Sequence, residues 1–271
     1  MNSVKINDEI TIGGPGSGLV LIAGPCVLES LAGALEIARK TAEICARLDL
    51  PYIFKASFDK ANRSSIDSYR GPGLEEGLNI LAAVKDELGL ALTTDVHTVE
   101  QVEAVARVVD ILQIPAFLCR QTDLLTAAGR SGRVVNIKKG QFVAPGDMQQ
   151  AVNKVASTGN RRILLTERGT TFGYNNLVVD FRSIPLMAAT GCPVVFDATH
   201  SVQLPSAQGS SSGGDRAMIP VLAAAAVAAG VDALFMEVHP DPEKALCDGA
   251  NSLALNELEP LLKRLLALSS I

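Results

Sequence analysis

Short runs rich in apolar and β-branched residues alternate with longer amphipathic segments along this chain, and that alternation limits the possible folds most. There are eight such runs, at residues 19–26, 52–58, 91–96, 111–115, 134–140, 163–169, 193–200 and 233–239. The segments between them have helical periodicity, as in 31–48, 73–89 and 99–109. Repeated strand–helix units favour parallel strands joined by crossover helices. Eight such units in a chain of 271 residues predict an α/β fold, the closed (β/α)8 TIM barrel.

The chain has no segment with the composition of an interdomain linker, so we expect residues 1–271 to form a single β/α barrel domain. Ahead of the first run, VKINDEITIGG alternates apolar and polar residues around the turn-forming pair Asn7 and Asp8. We expect a short N-terminal β-hairpin there, closing one end of the barrel. Residues 206–215 are rich in glycine and serine, which predicts a mobile loop and a candidate lid over the other end.

The composition argues against several kinds of partner. The net charge is −5, aromatic residues make up 4% and tryptophan is absent, whereas nucleic-acid-binding proteins present basic surfaces and aromatic stacking platforms. No stretch reaches the roughly 20 apolar residues of a membrane span, and MNSVKINDEI lacks the apolar region of a secretion signal. Five cysteines without a disulfide-like spacing are typical of a reducing compartment. We therefore expect a cytoplasmic protein with no membrane and no nucleic-acid partner.

Basic side chains are found at or just after the ends of several predicted strands. They are Lys55, Lys60, Arg63, Arg120, Lys138 and Arg168. A β/α barrel gathers its catalytic loops at the carboxyl ends of its strands, and arginine and lysine bind phosphate and carboxylate groups. The pattern predicts a pocket for more than one anionic group, as in phosphorylated small molecules. For residues 55–65 taken alone, a solvated charged loop stays an alternative.

A second set of side chains has the ligand types of a metal site. Cys26 ends the first predicted strand, His200 ends the seventh, Glu237 lies near the end of the eighth and Asp248 follows in the next loop. These strands are neighbours in a closed barrel. A thiolate, an imidazole and two carboxylates suit a divalent ion such as zinc, iron(II), manganese or cobalt. The spacing is not a self-sufficient zinc motif, so a structural role for Cys26 and His200 stays open.

Motifs of other enzyme classes are missing. The chain has neither a G-x-G-x-x-G fingerprint after its first strand nor a G-x-x-x-x-G-K-[ST] loop, and we expect no organic cofactor. A G-x-S-x-G elbow is also absent, which argues against a serine hydrolase. A Schiff-base aldolase stays open because Lys138 ends a predicted strand.

Long stretches of the chain resemble one known family. They are LIAGPC, FKASFDKANRSS, GPGLEEGL, TTDVH, ILQIPAFLCRQTDLL, VNIKKGQF, LLTERGTTFGYNNLVVDFRS, FDATHSVQLP and MEVHPDPEKALCDG. Together, over residues 19–253, they resemble the 3-deoxy-D-manno-octulosonate 8-phosphate synthases. The resemblance implies a homotetrameric β/α barrel that condenses phosphoenolpyruvate with D-arabinose 5-phosphate and water in lipopolysaccharide biosynthesis. KANRSS, where the related erythrose 4-phosphate synthases have KPRT, favours the five-carbon acceptor.

The same resemblance implies roles for individual residues. The expected residues are Lys55, Lys60, Lys138 and Arg168 for phosphoenolpyruvate, Asn62, Arg63, Ser64, Asp95 and Arg120 for arabinose 5-phosphate, and Lys55, Lys60, His200 and Asp248 for catalysis. Lys138 and Arg168 would hold the phosphate of phosphoenolpyruvate. Arg63 would hold the phosphate of the acceptor, which Arg120 would reach from a neighbouring subunit.

The family has a metal-requiring branch and a metal-free branch, and metal-free members have asparagine at the position of Cys26. The resemblance therefore implies a metal held by Cys26, His200, Glu237 and Asp248. Residues 247–249 are Cys-Asp-Gly, whereas the metal branch more often has Ser-Asp-Ala. Whether the metal is strictly required stays open. Among enzymes, the erythrose 4-phosphate synthase or a related sialic-acid-type synthase stays an alternative. Outside enzymes, the alternative is a phosphosugar sensor on an inactive barrel, which would release no phosphate.

Overall fold

Eight parallel strands form a closed barrel in the computed structural model, which describes residues 2–205 and 213–269. The strands are Val20–Gly24 (β1), Tyr52–Lys55 (β2), Ala91–Asp95 (β3), Ile111–Ile114 (β4), Val134–Lys138 (β5), Ile163–Glu167 (β6), Val194–Asp197 (β7) and Ala233–His239 (β8). Each strand pairs in parallel with the next, and β8 pairs with both β7 and β1. The sheet therefore closes on itself, and the predicted (β/α)8 barrel is confirmed.

A helix follows each strand and covers the outside of the barrel. The helices are Leu31–Arg47 (α1), Leu74–Leu88 (α2), Val99–Val108 (α3), Thr122–Arg130 (α4), Met148–Ala156 (α5), Ser183–Ala188 (α6), Ile219–Ala228 (α7) and Leu255–Ser269 (α8). At the start of α1, the Ser30 side chain accepts a hydrogen bond from the backbone N–H of Gly33 (3.1 Å), and Ile37, Ala38 and Ile44 are buried. The cap satisfies a free backbone donor, and the buried stripe stabilises the helix. None of the described helices has the length and apolar character needed to cross a membrane.

The N-terminal hairpin closes the end of the barrel formed by the amino ends of the strands. Val4–Lys5 pairs antiparallel with Thr11–Ile12. Asn7 Oδ1 accepts hydrogen bonds from the backbone N–H groups of Glu9 (3.0 Å) and Ile10 (2.7 Å), which stabilises the turn. Apolar residues of the hairpin and of the strands form one buried cluster: Val4, Ile6, Ile10, Ile12, Val20, Ile22, Ile53, Ala91, Ile111, Val134, Leu164, Val195, Ala233 and Phe235. The predicted hairpin and its location are confirmed.

All eight predicted strands are present, but several end earlier than the sequence pattern indicates. The predicted run 193–200 shows why, because β7 stops at Asp197 and His200–Val202 forms a 3-10 turn. Asp197 Oδ1 accepts hydrogen bonds from the backbone N–H groups of Thr199 (3.1 Å) and His200 (2.8 Å). A carboxylate that binds the backbone of following residues turns the chain away from the sheet.

Short antiparallel ribbons extend two loops at the carboxyl ends of the strands. Thr170–Thr171 pairs with Leu177–Val178 after β6, and Gln203–Leu204 pairs with Gly213–Gly214 after β7. The second ribbon flanks residues 206–212, which lie outside the described residues. The predicted lid at 206–215 falls largely on them and stays a prediction.

Candidate active site

The carboxyl ends of the strands surround a cavity of about 490 Å³. Ten of the residues expected in the site line it: Lys55, Lys60, Asn62, Arg63, Ser64, Asp95, Lys138, Arg168, His200 and Asp248. Barrel enzymes have their active sites at this end, because the loops after all eight strands converge there. The fold thus brings together side chains that are far apart in the sequence.

Lys138 and Arg168 form a buried cationic region of this cavity. Lys138 ends β5, and its Nζ lies 2.5 Å from Asp197 Oδ2 and 3.3 Å from His200 Nδ1. Arg168 directly follows β6 and donates a hydrogen bond from Nη2 to Gln203 Oε1 (2.9 Å). Its Nε and Nη1 atoms have no hydrogen-bond partner among the described residues. Because an unpaired buried donor costs about 1–3 kcal/mol, these N–H groups favour binding of an oxyanion.

Burial lowers the pKa of both cations. For Lys138, Asp197 opposes this effect, and the neighbouring charges of Arg168 and Lys55 reinforce it. For Arg168, burial prevails over the attraction of nearby carboxylates. Like-charged groups held together in a buried site are stabilised when an anion binds between them. This region is therefore suited to a phosphate or a carboxylate.

Lys55 and Lys60 form a second cationic region, next to Glu237. Lys55 is 1% exposed. Its Nζ donates a hydrogen bond to Ser57 Oγ (2.8 Å) and lies 3.3 Å from Asp95 Oδ2. Lys60 Nζ lies 3.4 Å from Glu237 Oε1. Although burial would lower the pKa of Lys60, the acidic groups around it outweigh burial and raise that pKa. Lys60 therefore carries its positive charge at neutral pH.

A row of polar side chains across neighbouring strands fixes Asp95. Gln113 Nε2 donates to Asp95 Oδ1 (2.5 Å), Asn136 Nδ2 donates to Gln113 Oε1 (3.3 Å), and Thr166 Oγ1 donates to Asn136 Oδ1 (2.7 Å). Burial would raise the pKa of Asp95, but Lys55 and other nearby cations outweigh it and lower that pKa. Sequence analysis missed Gln113 and Asn136. The only sign of them in the sequence is that each is a polar residue inside an apolar run, Gln113 in ILQIP and Asn136 in VVNIKK.

The four expected metal ligands converge around Asp248. Its Oδ2 lies 3.7 Å from Cys26 Sγ and 4.0 Å from His200 Nε2, and His200 Nε2 lies 3.6 Å from Glu237 Oε1. Two sets of ligand atoms, each within 4.8 Å of one another, share Asp248: Cys26, Cys247 and Asp248, and His200, Glu237 and Asp248. Donor atoms about 2.0–2.3 Å from one ion lie roughly 3–4 Å from each other. Each set therefore has the spacing of ligands around one ion, and Asp248 is common to both sets.

The chemistry of these donors also fits a divalent cation. Glu237 Oε2 is buried without a hydrogen-bond partner in the described part of the chain. Although burial opposes them, His200 and nearby lysines lower the pKa of Glu237 to about 2, so it is ionised. His200 Nδ1 lies 2.8 Å from Asp197 Oδ2, and a metal-ligating histidine is usually oriented by such a carboxylate. Burial, reinforced by Cys247, raises the pKa of the Cys26 thiol, and metal binding would favour its thiolate.

The loop that carries Asp248 depends on the glycine after it. Asp248 has a left-handed backbone conformation (φ 47°), which aspartate tolerates better than most residues. At Gly249, an added Cβ would lie 2.2 Å from the carbonyl oxygen of Pro242. The glycine in Cys-Asp-Gly therefore allows the close approach to Pro242 that keeps Cys247 and Asp248 at the site.

Arg63 lies at the metal-ligand end of the cavity. Its Nη1 is 3.2 Å from Asp248 Oδ1 and 2.9 Å from Cys247 Sγ, while its Nε has no hydrogen-bond partner among the residues described. Asn62 and Ser64 line the same cavity and are exposed. The loop thus presents a cation and two polar side chains to a ligand.

Arg120, another expected site residue, lies at the protein surface and does not line the cavity. It is exposed and precedes α4, whereas Phe117 from the same loop lines the cavity. The expected role of Arg120 is in the pocket of a neighbouring subunit, and that role requires an exposed side chain.

Asp197 and Cys247 were not among the expected site residues. Asp197 is a buried acid at the end of β7, three residues before His200, and this position was its only signal in the sequence. Cys247 lies with Sγ 2.9 Å from Cys26 Sγ. Its signal was the departure of Cys-Asp-Gly from Ser-Asp-Ala.

The chain is similar to known proteins over nearly its whole length. The sequence model of the DAHP synthetase I family matches residues 2–270. The chain is 63% identical over 270 residues to a 2-dehydro-3-deoxyphosphooctonate aldolase of Syntrophotalea carbinolica, covering 100% of this chain and 97% of that protein. Proteins of the same name from Pelobacter propionicus and Geobacter sulfurreducens are 61% and 60% identical over 267 residues, covering 97% of this chain and 98% of each.

Proposed function

Since this chain belongs to the DAHP synthetase I family and is 60–63% identical to full-length 2-dehydro-3-deoxyphosphooctonate aldolases, we infer that it is an enzyme with that activity. It condenses phosphoenolpyruvate with D-arabinose 5-phosphate and water, giving 3-deoxy-D-manno-octulosonate 8-phosphate and phosphate. The reaction belongs to lipopolysaccharide biosynthesis. The family and the activity predicted from the sequence motifs are confirmed.

The observation that carries the site assignment is the buried pair Lys138 and Arg168. Arg168 keeps two N–H groups without a partner among the described residues. Arginine and lysine together provide a planar donor and a point charge for a phosphate. We assign the phosphate of phosphoenolpyruvate to this pair. Its carboxylate and reacting carbons then face Lys55 and Lys60.

We assign the sugar phosphate to the loop after β2. Arg63 and Ser64 would bind its phosphate. At its hydroxyls, Asn62 would donate or accept hydrogen bonds and the Asp95 carboxylate would accept them. Support comes from the fact that all four residues line the same cavity. Arg120 would complete this subsite in a neighbouring subunit.

Catalysis begins by holding two anions in one orientation. Carbon C3 of phosphoenolpyruvate attacks the aldehyde carbon of the open-chain sugar, whose oxygen takes a proton, and water adds at C2 with loss of a proton. The C2–O bond to phosphate then breaks, leaving the C2 ketone and inorganic phosphate. Lys55 and Lys60 stabilise negative charge that develops near them, because fixed cations in a buried site need no reorganisation.

We propose that Cys26, His200, Glu237 and Asp248 hold a divalent metal. Zinc, iron(II), manganese and cobalt all accept a donor set of this type. When bound, such an ion polarises a carbonyl oxygen or positions a water molecule. The support is the convergence of the donors and the unpartnered oxygen of Glu237 within the described chain.

We propose that the enzyme is a cytoplasmic homotetramer built from a single barrel domain. Aromatic side chains are exposed near the active-site loops, with Phe117 54%, Phe172 68% and Tyr174 98% exposed. Exposed aromatic residues are enriched at protein interfaces. All five cysteines are free, which is typical of a reducing compartment.

The acceptor and the metal are tested by one set of assays. Phosphate release from phosphoenolpyruvate is measured with arabinose 5-phosphate and with erythrose 4-phosphate, each with and without a chelator. Release that depends on arabinose 5-phosphate supports the assignment. Phosphate release only with erythrose 4-phosphate would show that the chain has the activity of the related synthases. No phosphate release with either sugar would refute the enzymatic function.

A further inference from the structure

Two cysteine sulfur atoms lie side by side at the proposed metal site. Cys26 Sγ and Cys247 Sγ are 2.9 Å apart although 221 positions separate them. The side chains are 5% and 2% exposed. Both sulfurs and a carboxylate oxygen of Asp248 lie within 4.8 Å of one another. An ion bound by Cys26 and Asp248 is therefore within reach of Cys247.

We propose that Cys247 supplies a second thiolate to the metal, so that two sulfur atoms hold the ion together with His200, Glu237 and Asp248. This inference rests on the proposed metal site. Cys247 would be a fifth ligand, in addition to the four that the sequence motifs predict.

Bringing both sulfur atoms to one ion requires only a small movement of each relative to the other. Two thiolates about 2.3 Å from one five-coordinate ion, at 90–120° to each other, lie roughly 3.3–4.0 Å apart. The sulfurs at 2.9 Å would therefore separate by roughly 0.4–1.1 Å to admit the ion. Each sulfur lies one rotatable bond from the backbone, so small side-chain rotations are sufficient.

The surroundings balance the additional negative charge. Two thiolates and two carboxylates around a divalent cation leave two negative charges, which in a buried site must be paired. Arg63 Nη1 lies 2.9 Å from Cys247 Sγ and 3.2 Å from Asp248 Oδ1. Lys60 Nζ lies 3.4 Å from Glu237 Oε1. These two cations match the excess charge of a centre with two thiolates.

A second thiolate changes which metals the site prefers. Thiolate ligands select zinc and other thiophilic ions, whereas manganese prefers oxygen ligands. With Cys247 as a ligand, the protein should bind zinc, cadmium or cobalt in clear preference to manganese. The Cys-Asp-Gly sequence is then part of a metal centre with an altered ligand set.

The test is the absorption spectrum of the cobalt(II)-loaded protein, prepared with all five thiols reduced. Wild type should bind one cobalt with a strong near-ultraviolet thiolate-to-metal band. Cys247→Ser should lose roughly half of that absorbance, because one of two thiolates is removed. It should also lose part of its preference for cadmium over manganese in competition titrations. Cys192→Ser, which changes another buried cysteine, is the control and should match wild type.

Each outcome has a distinct meaning. An unchanged band in Cys247→Ser would overturn the second thiolate and leave the metal site in place. Failure of wild type to bind cobalt while phosphate release proceeds would refute the metal site itself. If Cys247→Ser does not fold, X-ray absorption of the zinc-loaded wild type decides: two sulfur ligands support the inference, and one sulfur overturns it.

Discussion

Lys138 and Asp197 form a buried ion pair across the barrel mouth, with Nζ 2.5 Å from Oδ2, although β6 lies between their strands. The same oxygen of Asp197 lies 2.8 Å from His200 Nδ1. Burial would raise the pKa of Asp197, but His200 and Lys138 outweigh it and hold that pKa well below its usual value. One ionised side chain thus orients both a proposed phosphate ligand and a proposed metal ligand.

Replacing this carboxylate should affect both functions. Asp197→Asn should lower metal affinity about 10–100-fold, as is typical for partners that orient a metal-bound histidine, and should also lower kcat. Metal affinity is measured by competition with a chromophoric chelator, and kcat by phosphate release. Asp180→Asn, which disrupts the surface pair with Arg182, is the control and should behave as wild type. Equal behaviour of the two variants would contradict the role of Asp197.

Arg168→Ala should weaken binding of phosphoenolpyruvate with little effect on arabinose 5-phosphate. A charge-assisted hydrogen bond contributes about 1.5–3 kcal/mol, which corresponds to roughly 10–150-fold in affinity. Calorimetric titration of each substrate measures the effect. Arg107→Ala, at an exposed arginine paired with Glu103, serves as the control. If both substrates lose affinity equally, the phosphate assignment is wrong.

Arg63→Ala should have the opposite selectivity. Affinity for arabinose 5-phosphate should fall by a similar roughly 10–150-fold, because the guanidinium is assigned to the sugar phosphate. Affinity for phosphoenolpyruvate should change far less. The same titrations test this prediction. A loss of affinity for phosphoenolpyruvate alone would show that Arg63 binds phosphoenolpyruvate and not the sugar phosphate.

Asp95 should make stability depend on pH. Although burial opposes them, Lys55, Lys60 and His97 hold the pKa of Asp95 below its usual value in the folded protein. Such a group stabilises the fold above its unfolded pKa of about 3.9, and the contribution is lost as pH falls below that value. Asp95→Asn should therefore lower the free energy of unfolding by roughly 3 kcal/mol at neutral pH. Urea denaturation should show the difference from wild type shrinking below about pH 4. A constant difference would contradict the role of the ionised form.

Removal of metal should reduce turnover, and a divalent transition metal should restore it. Cys26→Asn should lose at least about 100-fold in metal affinity. Mutation of residues that only orient a metal ligand already lowers metal affinity about 10–100-fold, and Cys26 is itself a proposed ligand. Some turnover should survive in this variant, since asparagine occupies the position in the metal-free branch. Metal analysis and phosphate release are measured together, with Cys45→Ser as a buried-cysteine control. Full activity of exhaustively chelated wild type would contradict a metal requirement.

The backbone architecture could be predicted because it follows from local patterns. The eight apolar runs and the helices between them lead directly to a parallel barrel, since strand and helix have different periodicities. The turn at Asn7 identifies the hairpin in the same way. The ends of the strands were predicted less accurately, as at β7. The hydrogen bond from the His200 backbone N–H to the Asp197 carboxylate ends this strand, and it depends on one side chain and not on the apolar pattern.

The sequence by itself determined the barrel, the hairpin and the end of the barrel at which the basic residues lie, because strand order and the carboxyl ends of strands follow from chain direction. It also identified the family through long motifs that include Lys55, Lys138 and Arg168. Only the tertiary structure decided which side chains touch. Cys26 meets Cys247, and Arg63 meets Asp248, across separations of 221 and 185 positions. Such contacts depend on barrel closure, on the register between strands and on loop packing such as that of Gly249 against Pro242, and none of these leaves a periodic signal in the chain.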